Sequence, residues 1–101
     1  MNLSMINQAR QLKAKLEEAQ KELARTEVVA EAGKGAVKVT ANGHQQVLSI
    51  TISPEVIDPV NPRQLERLIL KAITDAQDKS QKVASKRMKG LTGGLKIPGL
   101  F

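Results

Sequence analysis

The sequence predicts an α+β fold: a long N-terminal helix, a three-stranded antiparallel β-meander and a long C-terminal helix, in one domain spanning residues 1–101. Three observations predict it. Residues 1–26 contain neither Gly nor Pro and carry apolar residues at helical spacing. From Glu27 to Ile52 the apolar period drops to two, with turn residues at two places. From Pro62 to about Lys89 the helical period returns.

In the first helix, Met5, Ala9, Leu12, Leu16, Ala19 and Leu23 fall at alternating spacings of four and three. That is an a/d seam of the coiled-coil type, able to meet a partner helix or a second copy of the chain. Glu17 and Lys21 stand in the favourable i, i+4 order. At about 1.5 Å per residue the helix is about 35 Å long, too long and too narrowly striped to lie on a small sheet throughout. Part of it is expected to project.

Glu27–Ala32 is a β-branched run closed by the turn Gly33-Lys34-Gly35. Val37, Val39 and Ala41 then alternate with Lys38 and Thr40, and Leu48, Ile50 and Ile52 with Ser49 and Thr51. Between the two runs, Asn42-Gly43 is the pair favoured in two-residue type I′ hairpin turns, which need positive φ at both positions. A meander with one apolar face results, enough to hold one layer of helix.

Pro54, Pro59 and Pro62 punctuate the connection that follows. Asn61 is placed to cap the second helix, with Pro62 at its first position and Gln64 completing a capping box. Leu65, Leu68, Ile69, Ala72, Ile73 and Ala76 form its sheet-facing stripe. Beyond Ala76 the stripe thins to Val83 and Ala84 and basic residues begin, which marks where the helix leaves the core. Residues 90–101 hold four Gly and one Pro among large apolar residues, so a Gly-rich, non-helical tail is expected there, either docked or solvated.

Composition narrows the function. With no Cys there is neither a disulfide framework nor a thiolate metal site. The N-terminus lacks a signal-peptide layout, and no apolar run approaches the ~20 residues that cross a bilayer, so a cytoplasmic protein without membrane partners is expected. Phe101 is the only aromatic residue. A chain this small and this poor in bulky side chains is expected to complete its burial in a homodimer.

The net charge is +6, and it is segregated. Residues 1–16 carry Arg10, Lys13 and Lys15 with no acid; residues 79–101 carry Lys79, Lys82, Lys86, Arg87, Lys89 and Lys96, again with none. Residues 17–78 hold seven basic and ten acidic side chains, a net of −3. Both basic segments are the distal ends of the helices. If the helices run antiparallel, these ends share one protruding arm, and a two-fold dimer presents two arms. Such segregation suits an anionic polymer.

These features resemble the YbaB/EbfC family of bacterial nucleoid-associated proteins. The resemblance covers essentially the whole chain. It rests on Gln8-Ala9-Arg10-Gln11-Leu12, on Gly35-Ala36-Val37-Lys38-Val39-Thr40-Ala41-Asn42-Gly43 and on Ile52-Ser53-Pro54-Glu55 with Asp58-Pro59. It continues through Ala72-Ile73-Thr74-Asp75-Ala76, Leu91-Thr92-Gly93-Gly94-Leu95 and Pro98-Gly99-Leu100-Phe101. Family members often have Met where this chain has Leu12 and Leu16, a change that leaves the seam intact. The resemblance implies a tweezers-shaped homodimer that binds DNA through its helical arms, alters DNA conformation, and serves nucleoid organisation, gene regulation or DNA protection.

The expected DNA contacts are Arg10, Lys13, Lys79, Lys82, Lys86, Arg87 and Lys89, since affinity for phosphates comes from counterion release by clustered Lys and Arg. A charge run is ordinarily a solvated helix face; the absence of acids in both segments, together with the resemblance, favours DNA. No helix-turn-helix is present, because strands separate the helices. Asn2, Asn7, Gln8 and Gln11 are the side chains able to touch base edges. Without Trp or Tyr there are no stacking platforms for single strands or RNA, so duplex DNA is favoured. No enzyme, cofactor, metal or small-molecule substrate is expected: His44 is a lone surface histidine, Gly33-Lys34-Gly35 lacks phosphate-loop spacing, and Asp75 with Asp78 lacks a third ligand. The alternative is an adaptor of the replication–recombination machinery that uses the helix seam, consistent with the gene neighbourhood usual for the family.

Overall fold

The computed structural model describes residues 2–91. Its elements run in the order α1 (Leu3–Arg25), β1 (Glu27–Ala32), β2 (Val37–Asn42), β3 (Val47–Ile52), a 3-10 turn (Pro54–Val56) and α2 (Pro62–Leu91). This is the expected α+β arrangement.

Each boundary has a local cause. Asn2 is the N-cap of α1, and its side-chain oxygen accepts from Ser4 N at 3.1 Å. The helix stops at Thr26, which is extended; its hydroxyl donates to Glu22 O at 2.8 Å and satisfies a carbonyl of the last turn. The turn after β1 uses three successive residues of positive φ, Gly33, Lys34 and Gly35. α2 begins at Pro62, where a missing N–H costs nothing. It runs through Gly90 and Leu91, two residues into the segment expected to be non-helical. A single Gly costs a helix about 1 kcal/mol, too little to stop one already propagating. The rest of the expected tail, and whether it docks, lies outside the described residues.

The sheet is antiparallel in the order β1-β2-β3, with Ala30 opposite Val39 and Val39 opposite Ile50. Between Thr40–Ser49 and Ala41–Val47 the register slips by one, leaving Leu48 as the extra residue of a bulge. One face carries Ala30, Ala32, Val37, Val39 and Ala41, all buried against Ala72 and Ala76 of α2. Leu65, Leu68, Ile69 and Ile73 border this core half-buried. Alanine on both sides lets helix and sheet approach closely, and Val37 and Val39 are the largest apolar side chains fully enclosed. The helix covers β1 and β2. The apolar row of β3 stays open, with Val47, Leu48 and Ile50 exposed, Leu48 by 50%.

The hairpin predicted at Asn42-Gly43 forms, but not as a two-residue type I′ turn. Its loop extends over residues 43–46, and its residue of positive φ is Gln45. Gln45 N donates to Asn42 O at 3.1 Å and Asn42 N to Gln46 O at 2.9 Å. Gly43 is required for space instead. A Cβ there would lie 2.6 Å from Leu23 O and 2.8 Å from Leu23 Cδ2.

The molecule is 69 Å long and 22 by 17 Å across, with a radius of gyration of 19.2 Å. A compact chain of this length would have about 13 Å. The excess comes from two helices that outrun the sheet.

Candidate nucleic-acid interface

The base of the arm is the β2–β3 loop, wedged between the two helices. Gly43 N donates to Leu23 O at 2.7 Å, and His44 Nε2 lies 2.9 Å from Gln20 O, so α1 is held by carbonyls of its final turns. On the other side, Ser80 Oγ donates to Asn42 O at 2.6 Å and accepts from Gln45 N at 2.9 Å. Asn42 organises the loop from within: its Oδ1 accepts from His44 N and Gln46 N, and its Nδ2 donates to Gln46 Oε1. Asn42 and Ser80 are both buried, so these bonds replace lost hydration with fixed partners.

Above this point the helices run antiparallel, as expected. Glu22 pairs with Arg87 at 2.8 Å, and Leu12 lines a hollow with Leu91, Gln8, Gln11 and Lys15. They are staggered rather than flush. The basic end of α2 lies beside α1 from Glu22 to the Gln8–Lys15 stretch, and only the turn of α1 before Gln8 extends past Leu91. Of the six seam residues, Ala19 and Leu23 are buried, Leu12 and Leu16 are half-buried, and Ala9 and Met5 are exposed, Met5 by 61%. The seam therefore meets α2 only toward the body.

The basic side chains fall into two groups. Lys82, Lys86 and Lys89 are exposed at i, i+4 and i+7, one stripe of α2, and line a shallow hollow with Gln81 and Ser85. A neighbouring hollow joins Lys89 to His44 and Gln45, so the stripe is continuous with the loop. Arg10 and Lys13 are exposed on the stretch of α1, Gln8 to Lys15, that lies level with Leu91, with Lys15 beside Gln11. Two other cations have internal partners. Lys79 Nζ donates to Val29 O at 2.8 Å and covers part of the outer edge of the edge strand β1. Arg87 Nη2 pairs with Glu22 Oε2, and Arg87 Nε is buried. Among the base-readout residues, Asn2 uses its oxygen on the helix cap, and Gln8 and Gln11 line the hollow at Leu91.

Sequence reasoning missed the loop's role. His44, Gln45, Gln77 and Ser80 carry no motif, and Gln77 Nε2 reaches Gln45 O at 3.4 Å only because thirty-two residues of chain bring them together. It also passed over Gln81 and Ser85, whose spacing from Lys82, Lys86 and Lys89 was visible. Asp75 pairs with Lys71 at 3.4 Å. Among the described residues, no group of three or more His, Cys, Asp or Glu comes together to hold a metal ion, and no helix is long and apolar enough to cross a membrane.

Comparison with known proteins identifies the family and the fold. The model of the YbaB/EbfC DNA-binding family matches residues 1–95. A protein of Chloroflexus aurantiacus named nucleoid-associated protein is 50% identical over 97 residues, covering 96% of this chain and 95% of that one. A nucleoid-associated protein of Clostridium novyi is 42% identical over 102 residues, covering all of this chain and 90% of that one. In fold, the chain is similar to the crystal structure of the uncharacterized protein HP0035 from Helicobacter pylori, with a TM-score of 0.59 at 17% identity, covering 87% of this chain and 98% of that one. By its sequence over nearly its whole length, this chain belongs to the YbaB/EbfC DNA-binding family, a family of DNA-binding, nucleoid-associated proteins and not an enzyme class.

Proposed function

We propose that this protein binds duplex DNA as a homodimer in the bacterial nucleoid, mainly through phosphate contacts from its helical arms, and that binding changes the conformation of the DNA. The observation that carries the reading is the exposed stripe of Lys82, Lys86 and Lys89 on the part of α2 that has left the core. Arg10 and Lys13 extend the positive surface along α1, and Lys79 stands at its base. Exposed ammonium groups at one-turn intervals meet phosphates without reading bases, so affinity comes from counterion release and sequence preference is weak.

The dimer is supported by the open apolar row of β3. A core whose largest enclosed apolar side chains are two valines is thin, and Val47, Leu48 and Ile50 lie uncovered beside it. A second copy seated on that row would complete the burial and point two arms at one duplex. Two arms separated by a body of fixed width favour DNA that curves to meet both. On this reading the protein works in the cytoplasm, on the chromosome, in nucleoid organisation, gene regulation or DNA protection.

The experiment is fluorescence anisotropy of a labelled random-sequence duplex at several salt concentrations. The logarithm of the binding constant should fall with log salt by about 0.9 per phosphate neutralised. An Ile50→Lys variant, studied by sedimentation, should become monomeric while keeping its helix content. No binding at low salt overturns the DNA reading; a dimer that survives Ile50→Lys overturns the β3 interface.

A second reading, an adaptor that docks a partner helix, rests on the outer seam of α1, where Met5 and Leu3 are exposed. Under that reading, binding would be insensitive to salt and lost on Met5→Glu.

A further inference from the structure

Seven basic residues were expected to face DNA as equals, but the structure divides them by what they already touch. Arg87 sits between the helices: its Nη2 is 2.8 Å from Glu22 Oε2, its Nε is enclosed without a hydrogen-bond partner, and Val83 and Gly90 flank it on α2. Both members of the pair are 40% exposed, so the carboxylate and the guanidinium are held together at the arm's surface rather than in its interior. Lys82, Lys86 and Lys89 stand on the open stripe and make no ion pair within 4 Å among the described residues, although Lys82 also borders a hollow that Glu31, Asp75 and Asp78 line.

Resting on the DNA reading above, we infer that Glu22 occupies Arg87 in place of a phosphate, making Arg87 a positioning residue that ties α2 to α1 while Lys82, Lys86 and Lys89 carry the backbone contacts. The chemistry is direct. A carboxylate and a phosphate oxygen compete for the same guanidinium donors, and Glu22 is attached to the neighbouring helix at contact distance. A phosphate must displace it and draw out an arginine whose Nε is already enclosed. A lysine on the stripe has, among the described residues, no carboxylate at ion-pair distance to give up.

The inference is read in the salt slope, which counts the phosphates neutralised. Anisotropy titrations of the full-length protein on a random duplex are made for the parent, Lys82→Gln, Arg87→Gln, Glu22→Gln and the double variant Glu22→Gln/Arg87→Gln, each checked for parental helix content. Lys82→Gln should flatten the slope by about 0.9 for each arm that touches DNA. Arg87→Gln should leave the slope at the parental value. Glu22→Gln frees the arginine and should steepen the slope by about the same 0.9 per arm, and the double variant should return it to the parental value. If Arg87→Gln flattens the slope as much as Lys82→Gln, or if Glu22→Gln steepens it equally with and without Arg87, the assignment is overturned. A parent whose affinity ignores salt fails the DNA reading itself, a separate result visible before any variant is made.

Discussion

The two parts of α2 share one helix and one helical spacing, yet they live in different environments. From Leu65 to Ser80 the helix lies on the sheet and buries Ala72, Ala76 and Ser80 completely. From Gln81 to Leu91 it buries no side chain completely, and Val83, Ala84, Arg87, Met88 and Leu91 are only half covered. In the first half, small residues are dictated by closeness, because a larger side chain would push helix and sheet apart. In the second half, almost any helix-forming residue would fold equally well, so the run of Lys and Arg is free to answer to a ligand. The body is constrained by packing and the arm by charge. Surface charges contribute little to stability, so an accumulation of one sign where packing imposes nothing is best explained by binding.

Breaking the junction between the halves should have the largest effect. Gly43→Val places side-chain atoms within 3 Å of the Leu23 backbone, so the loop must move off α1 or α1 off the sheet. A loss of about 3 kcal/mol or more in chemical denaturation is expected; a stability unchanged within 0.5 kcal/mol would show that the close approach does not matter. Next in size is the arm itself. Lys82→Glu/Lys86→Glu/Lys89→Glu should weaken duplex binding by about a hundredfold, roughly 2.7 kcal/mol, with parental thermal stability. Equal binding by this variant would remove the arm from the DNA reading.

Smaller effects sharpen the contrast. Ser80→Ala removes a hydroxyl that both donates and accepts inside the junction, leaving Asn42 O and Gln45 N only their 3.1 Å bond to each other. About 1 kcal/mol should be lost, and amide exchange should accelerate at Gln45 before it does at Val39. The smallest effect is at the exposed start of α1. Asn2→Ala deletes a cap bond to Ser4 N and should cost about 0.5 kcal/mol, seen as fraying of the first turn by NMR with the body unaffected. Global destabilisation from Asn2→Ala would mean that the projecting helix is coupled to the core after all.

Much of this was legible in residue order because the relevant physics is local. The change of period at Glu27, the alternation through Val37, Val39 and Ala41, and Pro62 at a helix start identify elements without any knowledge of neighbours. The acid-free helix ends were visible as well. What failed failed for non-local reasons. Asn42-Gly43 looked like a type I′ turn because that is the commonest use of the pair, but Gly43 is needed by Leu23, twenty residues away. Gly90 looked like a stop, but a helix with open space around that position passes through it.

By itself, then, the sequence determined which segments are helix and which are strand, which strand face is apolar, and where positive charge gathers. Each follows from intrinsic preference and periodicity within a few residues. Only the tertiary structure decided how far α1 slides along α2, that the helix layer stops short of β3, and which cations face solvent. Those depend on distances between residues remote in the chain: Glu22 from Arg87, Val29 from Lys79, Asn42 from Ser80. Composition counts a lysine and an arginine alike, but the fold has supplied Arg87 and Lys79 with internal acceptors and left Lys82, Lys86 and Lys89 exposed.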